Sequence, residues 1–317
     1  MSSGSAKAKQ YTTQLINSFR ANSLAEIQSI LQRARTESPE AYSGILRDAL
    51  WRALYRACSP EIIRHLVMIE HAPIDTLSPS VIARSASIPV LDILLSHGWD
   101  VNRSGNDGET IIYYVLHDEA LVRWLVDRGA DIELGDIEYL ANGRFIPRPP
   151  LLLEACAERG SFASFKILLE KGAKLSRRVL HCASHSAAES GADPASPESE
   201  RWSGEGAEGF ARRKERGQIL RYLVEEQELD VNQMDSDIPA QMHWGTPINY
   251  AAKARHGIGV VKWLLSKGAD PTIKGLDSGM DAEGIARTWA QSEEIVDLVK
   301  AWKRESGIRM DVPNMVA

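Results

Sequence analysis

His181, Cys182 and His185 bring two imidazoles and a thiol into little more than one helical turn. Spacing of i, i+4 on a helix can turn both imidazoles toward one metal ion. A zinc site needs three or four protein ligands, and no third ligand follows at a recognisable spacing, so no metal is expected. Cys156 lies between Ala155 and Ala157 in a small-residue slot of a helix. A thiol buried there behaves as a small hydrophobe, not a nucleophile. Gly204, Gly206 and Gly209 match the G-x-G-x-x-G spacing of a dinucleotide fingerprint. No strand precedes them, and the surrounding text is dominated by Glu, Ser, Gly and Ala, so composition accounts for the match. Arg212–Arg213–Lys214–Glu215–Arg216 reads as a solvated charge run. No titratable constellation converges on one place, and neither a catalytic centre nor a cofactor is expected.

The elements that must position these residues recur. Leu91 to Val101, Val122 to Ile132, Phe165 to Leu175, Leu220 to Val231 and Val261 to Thr272 each read as an apolar-striped helix, then Gly or a substitute, then a short turn. Self-similarity at a period of about 33 residues, stretched by insertions, implies a solenoid in which each unit buries its apolar face against its neighbours. Gly after a helix takes the left-handed closing conformation. Thr followed by Pro suits a helix start, since the hydroxyl caps free N–H groups and the missing proline N–H is not needed there.

Residues 245–252 read Gly-Thr-Pro-Ile-Asn-Tyr-Ala-Ala, and residues 260–270 read Val-Val-Lys-Trp-Leu-Leu-Ser-Lys-Gly-Ala-Asp. Together they resemble the ankyrin repeat almost throughout, with Asn249 where the family usually has His. Further copies open at Asp107–Gly108–Glu109–Thr110, at Leu153 and at Leu180–His181–Cys182–Ala183, the last retaining the family His. The chain is similar to the worn, single-domain ankyrin proteins of filamentous fungi. The resemblance implies an all-α solenoid of about six to seven helix-turn-helix units, in which His181 hydrogen-bonds a neighbouring loop. The expected organisation is a disordered N-terminus over 1–10 and a repeat domain over 11–304. Within it, worn repeats occupy 11–77, clearer ones 78–275 and a cap 276–304. A flexible insertion is expected over 186–212, with the outer helix after it starting near Gln218, and a tail over 305–317. The insertion could act as an arm, with Trp202 and Phe210 able to dock. Gly135 to Pro150 lengthens one finger and holds Tyr139, Phe145 and Ile146.

The bulk numbers narrow the function. A hydrophobic content of 44% is ordinary for a folded protein, and a net charge of −6 argues against a nucleic-acid surface. Three widely spaced cysteines make no disulfide framework. The polar stretch from Met1 to Gln10 is unlike a secretory signal, and no apolar run is long enough for a bilayer. A cytoplasmic or nuclear location is expected, with no membrane partner.

In the resembled family, partners lie on the concave face, formed by the inner helices and the fingers. Mapped onto this chain, the inner-helix row holds Tyr114, Ala155, Cys182 and Tyr250, then His117, Glu158, His185 and Lys253 one turn later. The fingers add Trp99, Asn102, Arg103, Asp107, Asp131, Glu133, Asp136, Lys174, Asn232, Asp235 and Trp244. Trp99 and Trp244 fall in turns, where burial is not demanded, and Trp supplies disproportionate interface energy. Trp124, Trp263 and Trp302 are expected in the core. The finger carboxylates suggest a partly basic partner. The function expected is a non-catalytic scaffold or adaptor for another protein. The alternative is an enzyme or accessory protein of a secondary-metabolite pathway, with a small-molecule site between the insertion and the groove.

Overall fold

Six outer helices end alike, and those endings set the layers. In each, a residue at positive φ follows the helix: His71, Gly98, Gly129, Gly172, Glu228 and Gly268. The next residue donates its N–H back to the helix, as Trp99 to Leu94, Ala130 to Leu125, Ala173 to Leu168 and Ala269 to Leu264, all at 3.0 Å. The two endings without glycine close one residue further on, Ala72 to Leu66 at 2.9 Å and Leu229 to Leu223 at 3.1 Å. Both devices satisfy carbonyls that a helix end leaves open.

The computed structural model describes residues 3–106, 108–133, 150–196, 207–237 and 243–307. No strand occurs among the described residues. The chain divides into two compact units, residues 1–131 and 132–317. The first holds α1 (Ser3–Arg20), α2 (Leu24–Glu37), α3 (Tyr42–Tyr55), α4 (Pro60–Arg64), α5 (Pro79–Ile82), α6 (Ile88–Ser96), α7 (Ile111–Tyr114) and α8 (Glu119–Val126). α4 continues into a widened turn over His65–Ile69. The inner helices α3, α5 and α7 pack in sequence, and α4 packs on α6. α1 packs on α2 and α3, forming an end pair that the Gly-turn signature does not count. Residues 3–10, expected to be disordered, are helical. Tyr11, Leu15 and Phe19, four apart, bury one stripe of α1, and helix propagates cheaply from such an anchored segment into Ala, Lys and Gln.

The second unit holds α9 (Leu152–Arg159), α10 (Phe162–Glu170), α11 (Val179–Glu189), α12 (Ala207–Glu225), α13 (Pro247–Ala252), α14 (Ile258–Ser266), α15 (Ala282–Ile285) and α16 (Glu293–Glu305). α15 runs on into a widened turn over Ala286–Ala290. The inner helices α9, α11, α13 and α15 pack in order, and each pairs with the outer helix that follows it. Ala155, Ala157, Ala183, Ala187, Ala251 and Ala252 are buried there, and small side chains let inner helices approach closely.

The segment expected as a flexible insertion is helical at both ends. α11 extends to Glu189 and α12 begins at Ala207, well before Gln218. Between them, Ala192 and Pro194 are buried. They lie against glycines of the outer helices: a Cβ on Gly217 would stand 3.5 Å from the Ala192 Cβ, and one on Gly259 would stand 3.0 Å from the Ala192 carbonyl oxygen. Residues 197–206, including Trp202, lie outside the described residues, as do most of the finger from Gly135 to Pro150 and the tail beyond 307.

The charge run is likewise not a solvated face. α12 places Arg213 and Arg216 one turn apart on its buried side. Arg216 Nη1 donates to the carbonyls of Cys156, Ala157 and Gly160 at 3.4, 3.3 and 2.6 Å. A buried guanidinium thus closes the carboxyl end of α9, where helix dipole and open carbonyls both favour a cation. Burial pushes the Arg216 pKa down.

Two pairs of successive fingers are each braced by one amide. The Asn102 N–H is accepted by Asp100 Oδ1 at 2.9 Å, Asn102 Nδ2 donates to the Gly129 carbonyl at 3.0 Å, and the Asp131 N–H donates to Asn102 Oδ1 at 2.7 Å. In the second unit Asn232 repeats the pattern with Asp230, Gly268 and Asp270 at 2.8, 3.0 and 2.7 Å. Replacing Asn232 by Ala removes both cross-finger bonds and is expected to cost about 1–2 kcal/mol. Arg216→Met leaves three buried carbonyls open and is expected to cost about 2–4 kcal/mol. Urea midpoints measure both, and Arg212→Met, at an exposed i, i+4 pair with Glu208, should leave the midpoint unchanged.

Candidate functional site

In the second unit, three consecutive inner helices carry one row of polar side chains. Glu158 is exposed on α9, His185 is half-buried on α11, and Lys253 is half-buried at the end of α13. Two hydrogen bonds fix their adjacency: Ser186 Oγ donates to the Glu158 carbonyl at 2.8 Å, and His185 Nδ1 donates to the Tyr250 carbonyl at 3.4 Å. The earlier row members lie in the first unit. Tyr114 is half-buried at the end of α7, and His117 is exposed in a surface depression with Ile88, Trp124 and Arg128.

Below the row lies a buried polar network, contrary to the expectation that no titratable groups converge. Asp235 Oδ2 accepts from the Tyr250 hydroxyl at 2.6 Å and from the Trp244 N–H at 2.9 Å. His243 Nδ1 is 3.8 Å from the same oxygen. His181 Nε2 donates to the Gln233 carbonyl at 2.9 Å, as its resemblance implied, and its ring meets that of Tyr250 edge-on. Ser176 Oγ donates to Glu154 Oε1 at 2.6 Å. Burial, aided by the Arg178 charge, holds the His181 pKa down at about 4. Burial and the Asp235 charge push the Tyr250 hydroxyl well above its ordinary range, and burial lowers His243. At neutral pH His181 and Tyr250 are therefore both neutral. Asp235 and Tyr250, expected at the contact surface, are buried within it.

Above the network stands an aromatic corner. Trp244 is half-buried and Trp289 is 52% exposed. Their ring centroids are 5.0 Å apart at 77°. Lys253 Nζ lies 4.9 Å from the Trp244 centroid and 5.9 Å from that of Trp289. Trp289 was not among the expected site residues. Its place was readable in principle: it follows the Asp281 cap of α15 at nearly the offset Lys253 has from the Thr246 cap of α13, with one residue added at the widened turn.

Several finger residues have structural work instead. Trp99 is only 3% exposed and its Nε1 donates to the Leu77 carbonyl at 3.4 Å. It occupies the slot that Ala130, Ala173 and Ala269 fill in the other turns, where the side chain points inward. Asn102 and Asn232 are the finger braces, and Asp131 is held by the first of them through its N–H. Glu133 pairs with Lys174 at 3.2 Å. Arg103 is half-buried. Asp107 and Asp136 lie outside the described residues. Trp263 is buried as expected, whereas Trp124 and Trp302 are half-buried, and Arg128 lies over the Trp124 ring at 3.7 Å.

Other expected chemistry resolves similarly. The three cysteines are buried and unpaired with one another, and burial pushes the Cys156 thiol up to about 12. Among the described residues, no group of three or more His, Cys, Asp or Glu is placed to hold a metal ion, and no helix is long and apolar enough to cross a membrane. Residues 207–209 of the glycine-rich text form the first turn of α12.

The ankyrin-repeat family model matches residues 245–276. That stretch is an ankyrin repeat. No curated protein matches the chain in sequence. The matched ankyrin unit contains α13, α14 and both ends of its fingers. Gly245 sits at φ +103, and a Cβ there would come within 2.9 Å of the Gly275 Cα, so the fingers touch backbone to backbone. Asn249, at the usual ankyrin His position, donates through Nδ2 to the carbonyls of Trp244 and Ile273 at 2.9 and 3.1 Å. Ankyrin repeats are generally protein-interaction modules, which suggests such a role.

His181 and Asn249 do the same work with different acid sensitivity. The unfolded chain takes up a proton at His181 near its ordinary pKa of about 6.5, whereas the folded chain takes it up only near 4. Between these values the unfolded state binds more protons, so stability falls as pH drops through the window, by on the order of 3 kcal/mol for this residue. His181→Asn retains an N–H donor and removes the titration. Unfolding free energies measured from pH 7 to pH 4 are expected to fall less steeply in the variant than in the parent chain.

Proposed function

We propose that the chain is a non-catalytic adaptor that holds a protein segment along the inner-helix row of its second unit. The row of Glu158, His185 and Lys253 on three consecutive inner helices carries this reading. The three side chains differ in chemistry and reach solvent, and their helices are linked by the bonds from Ser186 to the Glu158 carbonyl and from the His185 ring to the Tyr250 carbonyl. A row of mixed polarity flanked by tryptophan suits a peptide or helix better than a polyanion. The partner need not be basic, because the finger carboxylates Glu133 and Asp235 already have internal partners.

A small-molecule reading would centre on the network of His181, Asp235 and Tyr250. Its members are buried and bonded to one another and to finger backbone, which supports a structural role for them under the recognition surface.

Immobilised full chain should capture a specific protein from its native lysate, identified by mass spectrometry. The combined change Glu158→Lys, Lys253→Glu, which leaves the His185 bond in place, should weaken that capture at least tenfold, with the thermal midpoint reporting that the variant is folded. A partner retained at full strength by this variant would place recognition elsewhere.

A further inference from the structure

Three cations of the described chain lie over tryptophan rings, and one of them differs from the other two. Arg128, over Trp124, also lies 3.8 Å from Asp92, and Lys267, 5.5 Å from the Trp263 centroid, pairs with Glu225 at 2.7 Å. Lys253 lies against two tryptophans and has no carboxylate within ion-pair distance among the described residues. An ammonium carries three donors and no acceptor, and ring faces satisfy its charge only in part. Beside it, Trp289 is 52% exposed. The ends of two consecutive inner helices therefore present a cation without a carboxylate partner among the described residues next to uncovered apolar surface.

We propose that this corner receives an acidic–apolar peptide segment, with an Asp or Glu carboxylate on Lys253 and the adjoining apolar side chain against the Trp289 indole. The proposal rests on the inner-helix row as the binding surface and names the chemistry at its C-terminal end. Charge complementarity selects this occupant. A basic segment would meet the Lys253 ammonium. A phosphate or other small polyanion would satisfy the cation but leave the indole wet. An external ammonium would find the space between the rings already filled by Lys253. With a net charge of −6 on the chain, the attraction is local and not a long-range field, so it acts at contact distances.

The test uses the full chain and fluorescein-labelled octapeptides followed by anisotropy. The first peptide is Ser-Gly-Glu-Leu-Glu-Leu-Gly-Ser. The second has Lys in place of Glu, and the third has Ser in place of Leu. The first should bind, and the second and third should bind at least tenfold more weakly. Inorganic phosphate at millimolar concentration should not displace the first peptide. Lys253→Met and Trp289→Ala should each raise its Kd at least tenfold, Lys253→Arg should restore most of the affinity, and Lys262→Met on the outer helix α14 should leave it unchanged. Thermal midpoints of all variants report whether each is folded. Equal or tighter binding of the Lys peptide, displacement by phosphate, or unchanged binding by folded Lys253→Met and Trp289→Ala would overturn the proposal. Absence of binding by the Glu–Leu peptide would overturn it as well. The adaptor reading would survive that outcome if row-dependent capture of a protein persisted, so the two ideas fail separately.

Discussion

The amide of Asn232 bonds to two backbone groups of the next finger at once, accepting from the Asp270 N–H and donating to the Gly268 carbonyl. Its position is set from behind by Asp230. A pair of short helices cannot bury its apolar face alone, so each layer depends on the placement of its neighbour. Apolar contact is tolerant of sliding, because buried area changes little with small shifts. A two-point amide bridge is not tolerant, because both bonds lengthen together. The same device at Asn102 serves the first unit. Where they occur, these braces hold finger spacing more tightly than apolar contact alone would.

Beneath the fingers, polar groups are buried in a way that limits their cost. Burying a charge without a partner is expensive. Here Asp235 receives the Tyr250 hydroxyl and a backbone N–H, while His181 is kept neutral. Arg216 applies the same economy at the end of α9, where three carbonyls share one guanidinium. These buried groups face the protein's own backbone, and the groups left to solvent face outward. The division separates the residues that build the fingers from those that remain for recognition.

Much of the layer pattern was legible because helix ends have strong local chemistry. Gly98, Gly129, Gly172 and Gly268 announce left-handed closures, and all four have positive φ. The substituted closures at His71 and Glu228 were harder to read because a non-glycine residue carries no such signal. The role of His181 was readable from its repeat position. Trp99 has the residue type of an interface anchor, but its slot, shared with Ala130 and Ala269, points inward whatever occupies it. The charge of Arg213 and Arg216 signals exposure in sequence, and periodicity does not show where α12 begins within text lacking an apolar stripe. The corner formed by Trp244, Lys253 and Trp289 joins residues from two repeats. Each position is visible in sequence, but their meeting depends on how two turns fold over one another.

The braces engage only main chain in the finger they reach. No side chain of the exposed row takes part in them. The braces are therefore indifferent to what Glu158 or Lys253 become, and those identities can drift without loosening the fingers. Such a protein can exchange one clientele for another by rewriting a few letters on an unchanged page.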